Sequence, residues 1–326
     1  MLFVENPSLD PYFNIATEEY LLKHLDTEVV MLWRSNPSII VGKHQNTLAE
    51  INLAFVRKHN IPVVRRLSGG GTVFHDPGNI NFTFIRQTEK EKMVDFKAHT
   101  RPVIDFLQSM GVDASFQGKN DLRVQGLKIS GNAEHVYKNK VLHHGTLLFD
   151  SNLDNLNEAI KAKEENFESK AVKSNRSVVA NISSFLPVAT SREEFTFKLK
   201  QFLAAYFTSA QHYTLASNDI RSIHRLVEEK YSQWHWNYGY SPVYAFKNSL
   251  SLNGRSLEAV ISVKNGIFKE VSLKENTTEL PREHPLIKAL QGVSHHPDAI
   301  GQVLAHTNYL GYNHLPDKWD LLGLFF

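Results

Sequence analysis

Residues 65–82 read RRLSGGGTVFHDPGNINF, and the three consecutive glycines at 69–71 restrict this chain more than any other stretch. Glycine loses more backbone entropy on ordering than any other residue. An ordered triplet between the PVVRR run and another strand therefore needs a compensating interaction. Two readings stand. The triplet is a tight turn with two solvated arginines beside it, or its backbone N–H groups approach an anion with no Cβ in the way, Arg65 and Arg66 adding charge and forked donors. Phosphate or carboxylate is the natural guest. No Lys-Ser/Thr follows, so this is not a Walker A loop, and without a third spaced glycine or a following helix it is not a dinucleotide fingerprint. His75 and Asp76 beside it either brace the loop through backbone amides or act in a site, and Asp76 can cap the turn at Gly78-Asn79.

Around this loop the pattern predicts a mixed α/β fold. Asp10 as N-cap and Pro11 at the first helical position start an opening helix that runs towards His24. The β-branched runs 28–34 and 38–42, split by Ser35-Asn36-Pro37, read as a strand pair. Thr47 and Glu50 form a capping box for a helix over Leu48, Ile51, Phe55 and Val56. Residues 79–86 alternate Ile80, Phe82 and Phe84 against Asn79, Asn81 and Thr83, the period of a half-buried strand. A helix over 95–110 is followed by hairpins through 121–124, 127–136 and 140–150, turning at Gln125-Gly126 and Lys138-Asn139. Helices are expected at 154–162, after Ser191, and near 218–231. Strands near 244–247, 250–263 and 266–274 then follow the Trp- and Gly-marked segment 231–246. This predicts a catalytic domain over 1–243, a mixed sheet flanked by helices, and a small α+β accessory domain over 244–326.

Composition excludes several classes. With 42% apolar residues in 326 the chain can bury a core, and 36 basic against 34 acidic residues leave a net charge of +2. That charge supplies no general field for nucleic acid or an anionic membrane. No leader pattern opens the chain and no apolar run reaches the roughly 18–20 residues of a membrane span, so a soluble cytoplasmic protein is expected. Zero cysteines exclude disulfides, thiolate zinc sites, iron–sulfur clusters and a catalytic thiol.

Three further stretches carry candidate chemistry. In NDLRVQGLKISGNA (120–133), Lys128 stands on the face opposite Leu127 and Ile129. It is either the solvated side of an edge strand or an ammonium beside the open surface left by Ser130-Gly131-Asn132-Ala133. In LHHGTLLFD (142–150), neighbouring His143 and His144 point to opposite faces, which disfavours a metal pair and sends one to the site and the other to surface or core. The polar segment 168–182 is a mobile surface loop or, with Lys173 and Arg176, a lid over a nucleotide.

Taken together and in this order, RRLSGGGTVFHD, NDL, KISGNA, HHGTLLFD and SNRSVVANI resemble the lipoate–protein ligase family along the whole chain. The resemblance implies a catalytic fold related to biotin–protein ligases, followed by a small domain. It implies two steps: lipoate and ATP give lipoyl-AMP and pyrophosphate, then the ε-amine of an acceptor lysine takes the lipoyl group and releases AMP. Lys128 matches the family's catalytic lysine, contacting both lipoate carboxyl and α-phosphate. Arg66, Gly71, Thr72, Val73 and Phe74 match the nucleotide-contacting stretch. Ser68, Gly69, Gly70 and His75 flank the lipoyl group, opposed by His144, Gly145 and Thr146. Asn120 and Asp121 match a motif near the adenylate, with Asp121 a candidate Mg²⁺ ligand, and residues 171–181, including Lys173 and Arg176, close over the adenylate. ATP and Mg²⁺ are implied as substrate and activator, with no tightly bound cofactor. Implied partners are lipoate and apo lipoyl acceptors such as glycine cleavage H protein and the E2 subunits of 2-oxoacid dehydrogenases, acting on a monomer. No general base for the acceptor amine is evident, and Trp33 and Phe84 are candidates for the apolar slot of the dithiolane. The alternatives are a lipoyl or octanoyl transferase that uses preformed acyl-AMP, and a non-catalytic paralogue binding lipoyl-AMP or a nucleotide.

Overall fold

A strand precedes the expected opening helix. In the computed structural model, which describes residues 1–88, 94–208, 210–252, 254–306 and 321–326, β1 (Leu2–Glu5) leads into α1 (Pro11–His24). Asp10 caps α1 as expected, its side chain accepting from the Tyr12 and Phe13 amides. The chain continues through β2 (Val29–Trp33), β3 (Ser38–Val41), α2 (Leu53–Lys58), β4 (Val63–Arg65), β5 (Val73–His75), β6 (Asn79–Gln87), α3 (Phe96–Ser109), β7 (Ser115–Gln117), β8 (Asp121–Val124), β9 (Leu127–Tyr137), β10 (Lys140–Leu148) and α4 (Leu153–Ala159). It ends with β11 (Phe167–Ser169), α5 (Arg192–Tyr206), β12 (Gln211–Thr214), α6 (Ser217–Leu226), β13 (Tyr244–Leu252), β14 (Arg255–Lys264), β15 (Ile267–Glu275), β16 (Thr278–Glu279), α7 (Pro285–Leu290) and α8 (Pro297–His306).

The described chain forms two compact units. The first takes residues 1–43, 55–160 and 174–233, and the second takes 44–54, 161–173 and 234–326. These units interleave along the chain, whereas the sequence marks a single hinge near 241–247. The first unit holds an eight-stranded mixed sheet, ordered β12-β1-β2-β6-β10-β9-β8-β7, and a three-stranded sheet, β4-β3-β5. In the large sheet β12, β1 and β2 run parallel, and β2, β6, β10, β9 and β8 pair antiparallel. The β8–β9 turn places Gln125 and Gly126 both at positive φ (51° and 81°), the mirror-type turn that suits the strand twist.

Two local expectations fail. Runs 28–34 and 38–42 do not pair with each other: β2 joins β1 and β6, while β3 joins β4 and β5 in the other sheet. The turn between them moves the chain from one sheet to another, which residue type alone does not reveal. Thr47 does not cap a long helix. It opens a single 3₁₀ turn, Thr47–Ala49, because its hydroxyl donates instead to the Asn237 carbonyl at 2.6 Å, within the second unit.

One face of the large sheet carries the core. Phe82 and Phe84 of β6 pack there with Val103, Phe106 and Leu107 of α3 and with Phe195, Leu199 and Leu203 of α5. The alternation in 79–86 is real, yet the polar set is not solvated: Asn79, Asn81 and Thr83 are at most 1% exposed. That second, polar and buried face positions the site.

The second unit is a meander of β13, β14 and β15 flanked by β11 and β16. Its core holds Ile261, Val263 and Phe268 against Leu286 and Leu290 of α7 and Ile300 of α8. Residues 244–252 form one continuous strand, so the expected break near 248 is absent. Within this core His295 is buried, its Nδ1 2.7 Å from the Tyr244 hydroxyl and its Nε2 2.6 Å from the Phe325 carbonyl. Among the described residues no helix is long and apolar enough to cross a membrane.

Phe195 is fully buried, with ring centroids 4.6 Å from Phe149 and 5.1 Å from Phe106. Phe195→Ala is expected to cost about 3–5 kcal/mol, read as a lowered midpoint in urea unfolding.

Candidate active site

A row of register partners crosses the polar face of the large sheet. Trp33 on β2 opposes Asn81 on β6, and Asn81 opposes Thr146 on β10. The Thr146 hydroxyl accepts from the Gly131 amide of β9 at 3.2 Å, and Gly131 opposes Asp121 on β8. Directly opposed residues share a face, so the row is a floor running over five strands, about 19 Å at about 4.8 Å per strand. Above it lies a cleft of about 740 Å³ of empty space including its mouth. Ile15, Trp33, Ile40 and Val73 line it along with Asn120, Asp121, Lys128, Ser174 and Asn175. Its β2 end is therefore aromatic and its β8 end charged.

The glycine loop forms one wall, and its arginines are not solvated. Arg65 is fully buried, its Nη1 donating to the carbonyls of Gly42 and Lys43. Arg66 donates from Nε to Ser68 Oγ (2.9 Å), from Nη1 to the Ile40 carbonyl (3.0 Å), and from Nη2 to the carbonyls of Gly69 (2.6 Å) and Gly71 (2.7 Å). Three N–H groups of one guanidinium thus hold the loop and a fourth ties it to β3, which is the compensation an ordered glycine triplet needs. Burial pushes the Arg66 pKa down to about 10, leaving the cation in place. Gly70 has φ +84°, and a Cβ there would stand 3.2 Å from Arg66 Nη2. The Thr72 amide, a candidate anion donor, is engaged by Ser174 Oγ at 2.9 Å.

Lys128 is not on an edge strand. Its amide donates to the Val178 carbonyl and its carbonyl accepts from the Ala180 amide, each at 3.0 Å, so segment 178–180 runs beside β9. The ammonium lies 2.8 Å from Asp121 Oδ1, and Arg123 Nη2 lies 2.8 Å from Asp121 Oδ2. Strict alternation would set Lys128 and Gly131 on opposite faces, yet both line the cleft. The register shift between Leu122 and Arg123 marks the bulge in this strand pair, a device that re-aims side chains beside sites.

His144 and His143 part as alternation requires. His144 lines the cleft within a hydrogen-bond chain whose polarity is forced at both ends, since Arg and Trp only donate and a carboxylate only accepts. Arg66 Nε donates to Ser68 Oγ, leaving the Ser68 hydroxyl to donate to His144 Nε2 at 2.6 Å. His144 Nδ1 then donates to the Glu18 carboxylate at 2.9–3.0 Å. From the other side Trp33 Nε1 donates to Thr83 Oγ1 (2.9 Å), and Thr83 donates to Glu18 Oε1 (2.6 Å). Glu18, on α1, is 3% exposed. His75 also lines the cleft, its ring edge-on to Trp33 at 5.5 Å between centroids. Burial, aided by the Arg66 charge, lowers its pKa to about 3, and its Nδ1 has no hydrogen-bond partner among the described residues. Asp76 braces instead, accepting from the Gly78 and Asn79 amides and from that of Asn152.

Of the residues singled out from sequence, Arg66, Gly71, Thr72, Val73, His75, Asn120, Asp121, Lys128, His144, Gly145 and Thr146 meet in one cleft. Ser68 and Phe74 are buried just behind it, and Gly69 and Gly70 shape its wall without lining it. Lys173 and Arg176 are exposed and do not line it; Lys173 belongs to the second unit, and Ser174 and Asn175 supply the lining from that segment. Trp33 lines the cleft, whereas Phe84 points into the opposite core against Phe207. Missed altogether were Glu18, Asn81, Ile15 and Ile40. Only the polar half of the β6 alternation signalled any of them.

Comparison with known proteins shows the family. Residues 10–204 match the model of the lipoyl protein ligase A/B catalytic domain. The chain is 39% identical to the lipoate-protein ligase LplJ of Bacillus subtilis (strain 168) over 331 aligned positions, covering 100% of both chains. A bipartite lipoate protein ligase of Thermoplasma acidophilum, solved in a study of that ligase and its E2 lipoyl domain, is 25% identical with a TM-score of 0.63, covering 73% of this chain and 96% of that one. A lipoate-protein ligase A solved with bound ATP is 25% identical with a TM-score of 0.61, covering 73% and 98%.

Gly145 sits against Asn132 Oδ1 and the Phe82 ring, with no room for a Cβ. Gly145→Ala is expected to cost about 1–3 kcal/mol through overpacking and to weaken ligand binding at the adjoining floor, measured by thermal melting and calorimetry. His75 and His295, whose pKa burial lowers to about 3 and about 4, make stability pH-dependent. Between pH 6.5 and 4 the unfolded chain binds two protons that the native protein refuses, so stability falls as the pH is lowered, by up to about 3 kcal/mol per unit from this pair. His75→Gln is expected to flatten that slope in urea titrations across this range.

Proposed function

Because the chain belongs to the lipoyl protein ligase A/B family and is an enzyme that joins lipoate to protein using ATP, we propose that both half-reactions occur in the cleft between Trp33 and Lys128. In the first, a lipoate carboxylate oxygen bonds to the α-phosphorus of ATP and pyrophosphate leaves. In the second, the acceptor ε-amine bonds to the lipoyl carbonyl carbon, AMP leaves, and the amine loses a proton.

The observation that carries this reading is the polarity of the floor. Lipoate extends on the order of 9 Å from carboxyl to ring sulfur, about two strand spacings of about 4.8 Å. A carboxyl near Lys128 on β9 therefore sets the dithiolane over β6, beside Trp33 and His75. Lys128 has three N–H donors, one of them directed to Asp121. The others serve the non-bridging oxygens of the α-phosphoryl group in the first step and the carbonyl oxygen in the second, where negative charge grows. Arg66 acts differently from a free phosphate clamp: it holds the glycine wall against which the ligand lies. Asp121 is the only carboxylate lining the cleft among the described residues, so it and the substrate phosphates would hold Mg²⁺, which supplies charge neutralisation to the nucleotide.

We assign lipoate and ATP binding to residues 1–243 and an accessory role to 244–326, with lipoyl domains and glycine cleavage H protein as acceptors, a monomeric enzyme, and the cytoplasm as the place of reaction. A transferase working through a cysteine acyl-enzyme is closed to a chain with no cysteine.

Intact mass of an apo lipoyl domain, after incubation with protein, lipoate, Mg²⁺ and ATP, tests the whole scheme. One ATP-dependent lipoyl addition is expected, and addition only from preformed lipoyl-AMP would refute the first step. Lys128→Ala is expected to slow lipoate-dependent pyrophosphate exchange by about 10²–10³-fold, as loss of one oxyanion donor does, with unchanged circular dichroism.

A further inference from the structure

On the core face of the same hairpin, away from the cleft lining, three ligand-type side chains converge. His143 of β10 and Glu134 of β9 are register partners, and His99 comes across from α3. His143 Nδ1 lies 2.8 Å and His99 Nδ1 2.9 Å from the same oxygen, Glu134 Oε1. The three candidate ligand atoms lie within 4.8 Å of one another. His143 is fully buried, and only 2% of the Glu134 side chain is exposed.

Hydrogen-bond polarity makes this cluster more than an ordinary ion pair. Asn132 Nδ2 donates to the Asn120 carbonyl at 3.0 Å, which turns its amide so that Oδ1 faces His143 Nε2 at 3.3 Å. An amide oxygen and a carboxylate oxygen both only accept, so the two ring nitrogens of His143 face acceptors at 3.3 Å and 2.8 Å. A neutral imidazole has one ring proton, so one of these nitrogens turns a lone pair towards an oxygen, a contact that a shared cation relieves.

We propose that His99 Nδ1, His143 Nδ1 and Glu134 Oε1 are the protein ligands of a divalent transition-metal ion of the Zn²⁺ type. Two imidazoles and one carboxylate are a known zinc donor set and favour such ions over Mg²⁺ or Ca²⁺. The surroundings match the outer shell of a metal site: His143 gives its other N–H to the Asn132 amide, and Glu134 Oε2 accepts from the Asp95 amide at 3.2 Å. The ion would staple α3 to the β9–β10 hairpin. Through Asn132, which also lines the cleft, it would stiffen the wall beside Gly145.

The test is calorimetric titration of the chelator-stripped full chain with Zn²⁺, and the visible spectrum of the Co²⁺ form. One equivalent is expected to bind, with Co²⁺ bands of nitrogen–oxygen ligation. Asn132→Ala is expected to weaken binding about 10–100-fold, as loss of an outer-shell partner does, and His99→Ala by more. His99 is partly exposed, so His99→Ala tests the site even where His143→Asn fails to fold. No stoichiometric binding by the wild-type chain, or undiminished binding by a folded His99→Ala variant, would overturn the proposal.

Discussion

The guanidinium of Arg66 is the interaction on which the site depends. Its bonds to the carbonyls of Ile40, Gly69 and Gly71 and to Ser68 tie the small sheet to the glycine loop. Ser68 then passes the constraint to His144 and Glu18, so the loop, β10 and α1 are held by one directed chain. A flexible triplet thereby becomes a rigid wall without any side chain of its own.

The second constraint is that the central strands are buried on both faces. On one face Phe82, Phe84, Phe106 and Phe195 make a core. On the other, Asn81, Thr83, Thr146 and Trp33 are buried but polar or amphipathic, satisfying one another or facing the cleft. Desolvated donors are costly when unmatched, so the Asn81 Nδ2 and His75 Nδ1 atoms that lack partners among the described residues are groups a ligand or water can satisfy. The cleft is thus both the weak side of the sheet and its useful side.

Much of the site was readable before the fold. The glycine triplet, Lys128 and His144 stand out because their residue types contradict their local surroundings, and such contradictions mark function. Arg66 was readable as a residue but not as a clamp, because its partners lie 26 positions back at Ile40 and across its own loop. Glu18 was invisible: inside α1 it reads as an ordinary polar residue of a helix, and only the packing of α1 against β10 turns it towards His144. Glu134 was likewise hidden, since its approach to His143 follows from antiparallel register across nine residues.

Local chemistry was therefore enough for the elements that rest on short-range rules: the Asp10-Pro11 helix start, the Gln125-Gly126 turn, the period of β6 and the separation of His143 from His144. It was also enough, through the set of motifs, for the family. Long-range geometry settled the rest. Which sheet β3 joins, that Arg65 and Arg66 are buried, that Lys128 lies inside the sheet, and which oxygen each histidine faces all depend on strand order and register. Those are set by how distant faces bury together, a cooperative property that no local window of residues contains.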